Sequence, residues 1–193
     1  MKRARVVIAE DEAIIRLDLR ELLEEEGYEV IGETGRGDEA LDLVRALRPD
    51  VAILDIKMPG ADGLEVARAV TEEGVCAVLV VTAFSQRDLI EQARDAGALA
   101  YIVKPFERTD LVPAIELALG RFSEMQSLQE EIADLTGRLD ERKVVDRAKG
   151  ILMDGPGLTE DAAFRFLRTE AMSRRMRIGD VARMVIEEGL RPH

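Results

Sequence analysis

Polar residues that could bind a metal and accept a phosphoryl group follow four apolar runs in the first part of the chain. They are the acidic pair Glu10 and Asp11, then Asp55, Thr82 and Lys104. Adjacent carboxylates repel one another unless a cation lies between them, and oxygen ligands with room for water suit Mg²⁺ better than zinc. A carboxylate beside such a cation can act as a nucleophile, so we expect Asp55 to become an aspartyl-phosphate. The metal and the Lys104 ammonium would neutralise the charge that develops on the transferred group.

Two further side chains could report the presence of that phosphate. Thr82 carries a hydroxyl that can hydrogen-bond a phosphoryl oxygen, and this bond exists only in the phosphorylated protein. Tyr101 lies on the neighbouring predicted strand, where its ring could follow a movement of the Thr82 loop. Lys104 precedes Pro105, which favours an extended backbone at the lysine and permits a cis bond.

Five short apolar runs alternate with five amphipathic stretches and must place these residues. The runs predict strands at 5–9, 29–32, 51–54, 77–81 and 100–103, and the stretches predict helices near 12–26, 37–47, 62–73, 86–96 and 109–122. Nearly continuous apolar runs are typical of strands buried on both faces. We therefore predict an α/β fold with a five-stranded, doubly wound parallel sheet. Ligands of such sheets bind at the carboxyl ends of the strands, where the four groups of polar residues lie.

Four segments resemble the receiver domain of bacterial two-component response regulators over residues 1 to about 120, which has a flavodoxin-like fold. They are VIAEDE at 7–12, ILDIKMPG at 53–60, VTA at 81–83 and YIVKPF at 101–106. The resemblance implies that Asp55 accepts phosphate from a histidine of a sensor kinase. It also implies a Mg²⁺ site, a switch pair and a phosphate-binding lysine. The implied metal ligands are Asp11, Asp55 and the backbone carbonyl of Lys57, with Glu10 acting through water; the switch pair is Thr82 and Tyr101, and the lysine is Lys104. Glu10 departs from the family, which more often has aspartate there.

Composition limits the class of protein and divides the chain. No apolar stretch approaches the roughly 20 residues that cross a bilayer, and the single cysteine, Cys76, excludes an internal disulfide, so we expect a cytoplasmic protein. The only histidine is His193, so a phosphohistidine donor must come from another protein. The net charge is −12, of which residues 121–193, with 13 basic and 14 acidic residues, carry only −1. An acidic first part and a nearly neutral second part suggest two units with different partners.

The second part begins with a helical pattern that continues from the fifth predicted helix. Its apolar residues repeat at alternating spacings of three and four, which predicts a short coiled-coil seam made by Met125, Leu128, Ile132, Leu135 and Leu139. Packing against the chain's own core is the alternative. We assign residues 1–120 to the receiver, 121–142 to a helical coiled-coil linker and 143–193 to the output region.

The output region shows three short helical patterns, which predict a small bundle. The first runs through Val144 and Leu152, the second begins at Thr159 as its N-cap, and the third spans about 180–188. From 165 to 183 there are six arginines against two acidic residues, and Arg174 and Arg175 lie at a predicted helix end. Arginine suits phosphate recognition because its planar group donates two parallel hydrogen bonds.

Residues 125 to about 188 resemble the ANTAR domain, a three-helix RNA-binding module of transcription antiterminators. The segments that carry the resemblance are RAKGILM at 147–153, LTEDAAFRFLR at 158–168 and AM at 171–172, and the whole chain resembles actinobacterial antitermination regulators. The resemblance implies binding to RNA hairpins in nascent transcripts. The implied RNA contacts are Arg147, Lys149 and Arg168, to which charge alone adds Arg174 and Arg175. Small residues in these segments are expected to allow close helix packing, and they are Ala148, Gly150, Ala163 and Ala171.

Three other functions compete with this interpretation. A DNA-binding response regulator fits the arginines, although the glycine-proline break at 154–157 is a poor match for the tight turn of a helix-turn-helix. A phosphorylation-controlled protein adaptor is the second. A metabolic phosphatase is the third, but the residues after Asp55 offer no second acid for turnover, so we expect no metabolic enzyme.

We expect a homodimer when the chain is phosphorylated.

Overall fold

Residues 3–83 and 87–192 are described by a computed structural model of the chain. The chain divides into two compact units, 1–126 and 127–193. Five strands and the first helices alternate along the first unit. The strands are β1 (Arg5–Ala9), β2 (Glu29–Thr34), β3 (Val51–Asp55), β4 (Ala77–Thr82) and β5 (Ala100–Val103). The helices are α1 (Ala13–Glu25), α2 (Gly37–Leu47), α3 (Gly63–Glu72), α4 (Arg87–Asp95), α5 (Arg108–Asp154), α6 (Glu160–Arg174) and α7 (Ile178–Glu187).

The five strands form one parallel sheet in the order β2-β1-β3-β4-β5. The order reverses at β1, which lies between β2 and β3. Such a reversal opens a crevice at the carboxyl ends of the two central strands, because the connections on either side of it leave toward opposite faces. Glu10 follows β1 and Asp55 ends β3, so the reversal lies at the predicted acidic cluster.

Alternate residues of the buried strands enter two separate cores, one on each face of the sheet. Val7 and Ala9 pack on the face covered by α2, α3 and α4. Val6 and Ile8 pack on the other face, under α1 and the start of α5. Both faces of β1, β3 and β4 are therefore apolar, as parallel strands covered on both sides require. The predicted α/β doubly wound fold is confirmed.

The second unit is a three-helix bundle of the last part of α5, α6 and α7. Its core contains the small residues Ala148, Ala163 and Ala171 among larger apolar side chains. The hydroxyl of Thr159 accepts a hydrogen bond from the backbone N–H of Ala162 at 3.3 Å and caps α6, as predicted. Gly150 differs from the prediction, because a Cβ at this position would meet nothing within 4 Å. Close helix packing therefore does not explain this glycine.

The helix α5 is longer than the separate patterns predicted. It runs unbroken for 47 residues from Arg108, because neither Gly137 nor the polar stretch before Val144 ends it. The expected linker and the first output helix are thus one helix. Within the predicted seam, Met125, Leu128 and Ile132 are 40%, 52% and 63% exposed in the single chain; the side chains of Leu135 and Leu139 lie outside the description. Among the helices of the described residues, none combines the length and apolar character of a membrane span.

Candidate functional site

Three carboxylates meet at the carboxyl ends of β1 and β3. Glu10, Asp11 and Asp55 each offer one oxygen, and these oxygens lie within 4.8 Å of one another. Glu10 and Asp55 are only 1% and 6% exposed, whereas Asp11 faces solvent. Parallel pairing of β1 with β3, in which Ala9 lies beside Leu54, brings the two strand ends to the same height. The fold therefore assembles the predicted acidic cluster.

Lys104 enters this cluster from the end of β5. Its Nζ lies 3.1 Å from Oδ2 of Asp55 and donates a hydrogen bond to Oε1 of Glu10 at 2.8 Å. Its side chain is 10% exposed, and Oε2 of Glu10 lies 2.7 Å from the same nitrogen. The peptide bond between Lys104 and Pro105 is cis, and the Lys104 N–H donates to the carbonyl of Thr82 at 2.7 Å. Backbone and side chain thus both fix the lysine at the strand ends.

The charges of the cluster do not balance. Among the described contacts, the Lys104 ammonium pairs with the two buried carboxylates of Glu10 and Asp55, and one positive charge does not neutralise both when they are ionised. Oε2 of Glu10 is buried and pairs with the same Lys104 ammonium at 2.7 Å, so Glu10 and Asp55 share one cation. Carboxylate oxygens are the hard ligands that Mg²⁺ selects. The donor set therefore fits a divalent cation such as Mg²⁺.

The buried groups show the electrostatic consequence of this imbalance. Burial raises the pKa of the Asp55 carboxyl above its ordinary value, and the hydrogen bond from Lys104 offsets this only in part. Burial likewise raises the pKa of Glu10, with Asp55 adding repulsion. Burial disfavours the charge on Lys104, but its bonds to Glu10 and Asp55 outweigh that effect and raise its pKa. Ionised Asp55, the form that can act as a nucleophile, is thus favoured by added positive charge.

The loop after β3 lies tightly against Asp55. A Cβ at Gly63 would lie 1.9 Å from the Asp55 carbonyl oxygen, so only glycine fits there. Asp62 caps α3 through a hydrogen bond from Leu64 N–H at 2.7 Å, and Glu65 completes a capping box. Lys57 lies in this loop and lines a small cavity together with Asp11. The loop thus places Lys57 beside the acidic cluster.

Thr82 and Tyr101 occupy neighbouring strands. Thr82 ends β4 and is 3% exposed, and Tyr101 on β5 is 46% exposed. Tyr101 pairs in register with Val80, two residues before Thr82. One of the pair is therefore buried at the strand ends, and the other faces outward on the edge strand.

The predicted RNA contacts divide into paired and unpaired cations. Nζ of Lys149 lies 2.8 Å from both Asp146 and Glu160, and Arg174 pairs with Glu170 at 2.8 Å. In the described part of the chain, three predicted contacts make no ion pair, and these are Arg147, Arg168 and Arg175. Arg175 ends α6 in the left-handed conformation, with φ of 54°.

Family models match both units. The model described as response regulator receiver domain matches residues 6–116, and the ANTAR domain model matches residues 133–186. The transcriptional regulatory protein PdtaR of Mycobacterium tuberculosis is 52% identical over 183 residues, which cover 95% of this chain and 89% of that protein. The chain is a receiver–ANTAR response regulator. The resemblance stated from the motifs alone is thereby confirmed.

Other relatives of this response regulator share the receiver alone. The chemotaxis protein CheY of Thermotoga maritima is 34% identical over 112 residues, covering 58% of this chain and 93% of that protein. The receiver domain of the response regulator NarL from M. tuberculosis matches with a TM-score of 0.60 and 34% identity, and it covers 62% of this chain and 98% of that chain. Both likenesses place the receiver fold in the first unit.

Sequence reasoning missed Arg16 in the receiver. It lies in α1, and its Nη1 donates a hydrogen bond to the backbone carbonyl of Glu10 at 2.5 Å. The bond ties the turn that carries Glu10 and Asp11 to the following helix. A basic residue one turn into the helix after an acidic pair was the available signal, but its spacing alone does not distinguish a backbone contact from solvent exposure.

Proposed function

We propose that this response regulator is phosphorylated on Asp55 by a sensor histidine kinase and controls gene expression by binding RNA hairpins, causing transcription antitermination. The observation that carries the first half is the buried cluster of Glu10, Asp55 and Lys104 with Asp11 at its edge. The match of the second unit to the ANTAR family supports the second half. Because nascent transcripts are its target in this proposal, the protein acts in the cytoplasm.

The metal of this proposal is Mg²⁺. Asp11, Asp55 and the backbone carbonyl of Lys57 would hold it, and Glu10 would act through water. The excess of negative charge and the three carboxylate oxygens that lie within 4.8 Å of one another support this assignment. When bound, Mg²⁺ supplies positive charge to phosphoryl oxygens.

Phosphoryl transfer then uses the chain's own groups. A carboxylate oxygen of Asp55 attacks the phosphorus of a phosphohistidine, the phosphorus–nitrogen bond breaks, and its electron pair returns to the imidazole of the kinase. Lys104, 3.1 Å from Asp55, neutralises charge on the phosphoryl oxygens. The donor belongs to another protein because His193 is the only histidine in the sequence. Later hydrolysis by water releases inorganic phosphate and restores Asp55.

Phosphorylation is read out by Thr82 and Tyr101 and favours a homodimer. The Thr82 hydroxyl donates a hydrogen bond to the new phosphoryl oxygen, and the Tyr101 ring follows the resulting movement of the Thr82 loop. The exposed apolar side chains of Met125, Leu128 and Ile132 support a seam on α5 that a second copy covers. The two bundles of one dimer bind two hairpins, and binding of the first hairpin raises the effective concentration of the second bundle at the second hairpin.

The RNA contacts in this proposal are Arg147, Lys149, Arg168, Arg174 and Arg175. The unpaired state of Arg147, Arg168 and Arg175 supports their role most directly. DNA binding is the alternative for the same cations. Competition between hairpin RNA and duplex DNA at one fixed salt concentration separates the two, since salt alone changes both affinities.

The test compares the wild type with Asp55→Asn, before and after treatment with acetyl phosphate and Mg²⁺. Wild type should gain one phosphoryl group by intact mass and bind hairpin RNA more tightly, and the variant should do neither. Chelation by EDTA should block the modification of wild type. Phosphorylation of the Asp55→Asn variant, or an equal gain of RNA affinity in it, contradicts the proposed switch.

A further inference from the structure

An aromatic side chain lies exposed on α6 of the ANTAR bundle. Phe164 is 44% exposed. The second unit holds one other aromatic residue, Phe166, which packs against the bundle core. The core therefore uses Phe166 and leaves the Phe164 ring largely in solvent, where burial does not explain an aromatic side chain.

The exposed face of α6 continues beyond this ring. Residues four apart lie on one side of a helix, so Phe164, Arg168 and Met172 form a row. Met172 is 71% exposed, while the neighbouring row of α6, formed by Ala163, Leu167 and Ala171, is buried in the bundle. The outer row thus alternates an aromatic ring, a guanidinium and a flexible apolar chain, all open to solvent.

The guanidinium groups of this face are not engaged. Arg165 and Arg168 have no carboxylate partner in the described ranges, unlike Lys149 and Arg174. Glu160 in the first turn of α6 is paired with Lys149. The unpaired cations of this face therefore lie in the middle of α6, at Arg165 and Arg168.

We propose that an unpaired base of the RNA loop stacks on Phe164 while Arg168 contacts the adjoining phosphate. This rests on the proposed RNA function and names the part of the hairpin that α6 takes. Bases in a stem are already stacked and paired, whereas loop bases can turn outward onto an aromatic ring. A second protein copy would have to place a carboxylate against both Arg165 and Arg168, because burying either of them unpaired is unfavourable. A nucleic acid strand pairs both groups with phosphates.

The test is a cycle of two changes, one in the protein and one in the RNA. The probe is a hairpin selected for wild-type binding from a pool with a fixed stem and a short randomised loop. Abasic sites are then placed at each loop position in turn. Phe164→Ala should weaken binding by about tenfold to a hundredfold, the usual effect of losing one stacked base. One abasic position should weaken wild-type binding by a similar factor and leave the variant's affinity unchanged.

Matched variants separate stacking from charge and from general damage. Phe164→Tyr keeps a ring and should retain affinity, while Phe164→Leu, apolar but not aromatic, should resemble Phe164→Ala. Arg168→Ala should reduce the slope of log affinity against log salt by about 0.7 to 0.9, and Phe164→Ala should leave the slope unchanged. Melting temperatures within a few degrees of wild type show that each bundle is folded.

Each outcome decides a distinct point. If wild type selects no hairpin, the proposed RNA function fails. If wild type binds but Phe164→Leu binds equally well, or every abasic position affects wild type and Phe164→Ala alike, the stacking proposal is overturned and RNA binding stands. A change of oligomeric state in Phe164→Ala, with RNA affinity unaltered, assigns the face to a protein contact and also overturns it.

Discussion

Replacing Lys104 by methionine removes a cation that contacts both buried carboxylates, Glu10 and Asp55. Methionine has a similar length and no charge, so packing changes little. Lys104 Nζ lies 3.1 Å from Asp55 and 2.7 Å from Glu10, and all three side chains are nearly buried. The substitution should leave two buried carboxylates facing each other in the metal-free protein.

The magnitude follows from these distances. With an effective dielectric constant of about 20, the two attractions correspond to about 5 and 6 kcal/mol, and carboxylate repulsion at the 4.8 Å limit to about 3.5 kcal/mol. The variant also avoids the desolvation of an ammonium, which offsets much of the lost attraction. Buried pairs broken at one partner usually lose about 3–5 kcal/mol, so we expect that loss for Lys104→Met at pH 7 in EDTA.

Tyrosine fluorescence isolates the receiver in this assay. Tyr28 and Tyr101 are the only tyrosines, tryptophan is absent from the sequence, and residues 127–193 contain neither. Urea titrations in EDTA should show Lys104→Met destabilised, and adding Asp55→Asn should restore part of the loss because one buried charge disappears. Mg²⁺ should stabilise Lys104→Met more than wild type. A Lys104→Met receiver as stable as wild type in EDTA would refute the electrostatic reasoning.

Three further predictions concern other parts of the chain. Cys76 is 2% exposed and burial raises its pKa to about 12, so a thiol reagent at pH 8 should label it only after unfolding. Because the folded pKa of this thiol exceeds its unfolded pKa, its contribution to stability should fall as the pH rises above about 8.5. Glu141 accepts a hydrogen bond from Gly179 N–H at 3.2 Å. In thermal unfolding, Glu141→Ala should lower the free energy of unfolding of the bundle by about 1 kcal/mol, and Glu141→Gln is the control that keeps an acceptor. Lys149 already pairs with two carboxylates, so Lys149→Ala should weaken hairpin binding less than Arg168→Ala in a filter-binding titration, and an equal or greater loss would show that RNA displaces both carboxylates.

The receiver site could be predicted from sequence because each of its residues is marked by its position after a strand. Each such residue directly follows an apolar run, and parallel strands bring these positions to one edge of the sheet whatever the details of packing. Asp55 and Lys104 are 49 residues apart, yet their distance follows from two strand ends and the strand order. Burial of Glu10 to 1% did not follow in this way, because burial depends on how the surrounding elements pack and not on the position of a residue after a strand.

The second unit was predicted less completely because its important contacts join different helices. The charge of Lys149 was visible in the sequence, but its partner Glu160 lies on α6 and is met only in the folded bundle. The cap that Glu141 supplies to α7 is also nonlocal, since the N-cap residue of that helix, Arg177, makes no side-chain cap. The linker and the first output helix were assigned separately, but no glycine or proline lies between Leu139 and Val144 to end the helix, so α5 runs through both.

Charge limits how Asp55 can control RNA binding. The first 120 residues already carry −11, and an aspartyl-phosphate adds about one further negative charge. Charge alone would therefore lower the affinity for RNA, more strongly at low salt. A gain in RNA affinity on phosphorylation must therefore come from something other than charge. Association of two bundles supplies such a gain, because the second bundle binds at a raised effective concentration. For a single hairpin, the gain in RNA affinity should then vanish at protein concentrations below the dimer dissociation constant. For tandem hairpins, the gain should persist at concentrations above that constant. A phosphorylated monomer that binds one hairpin more tightly would instead require a change within the bundle itself.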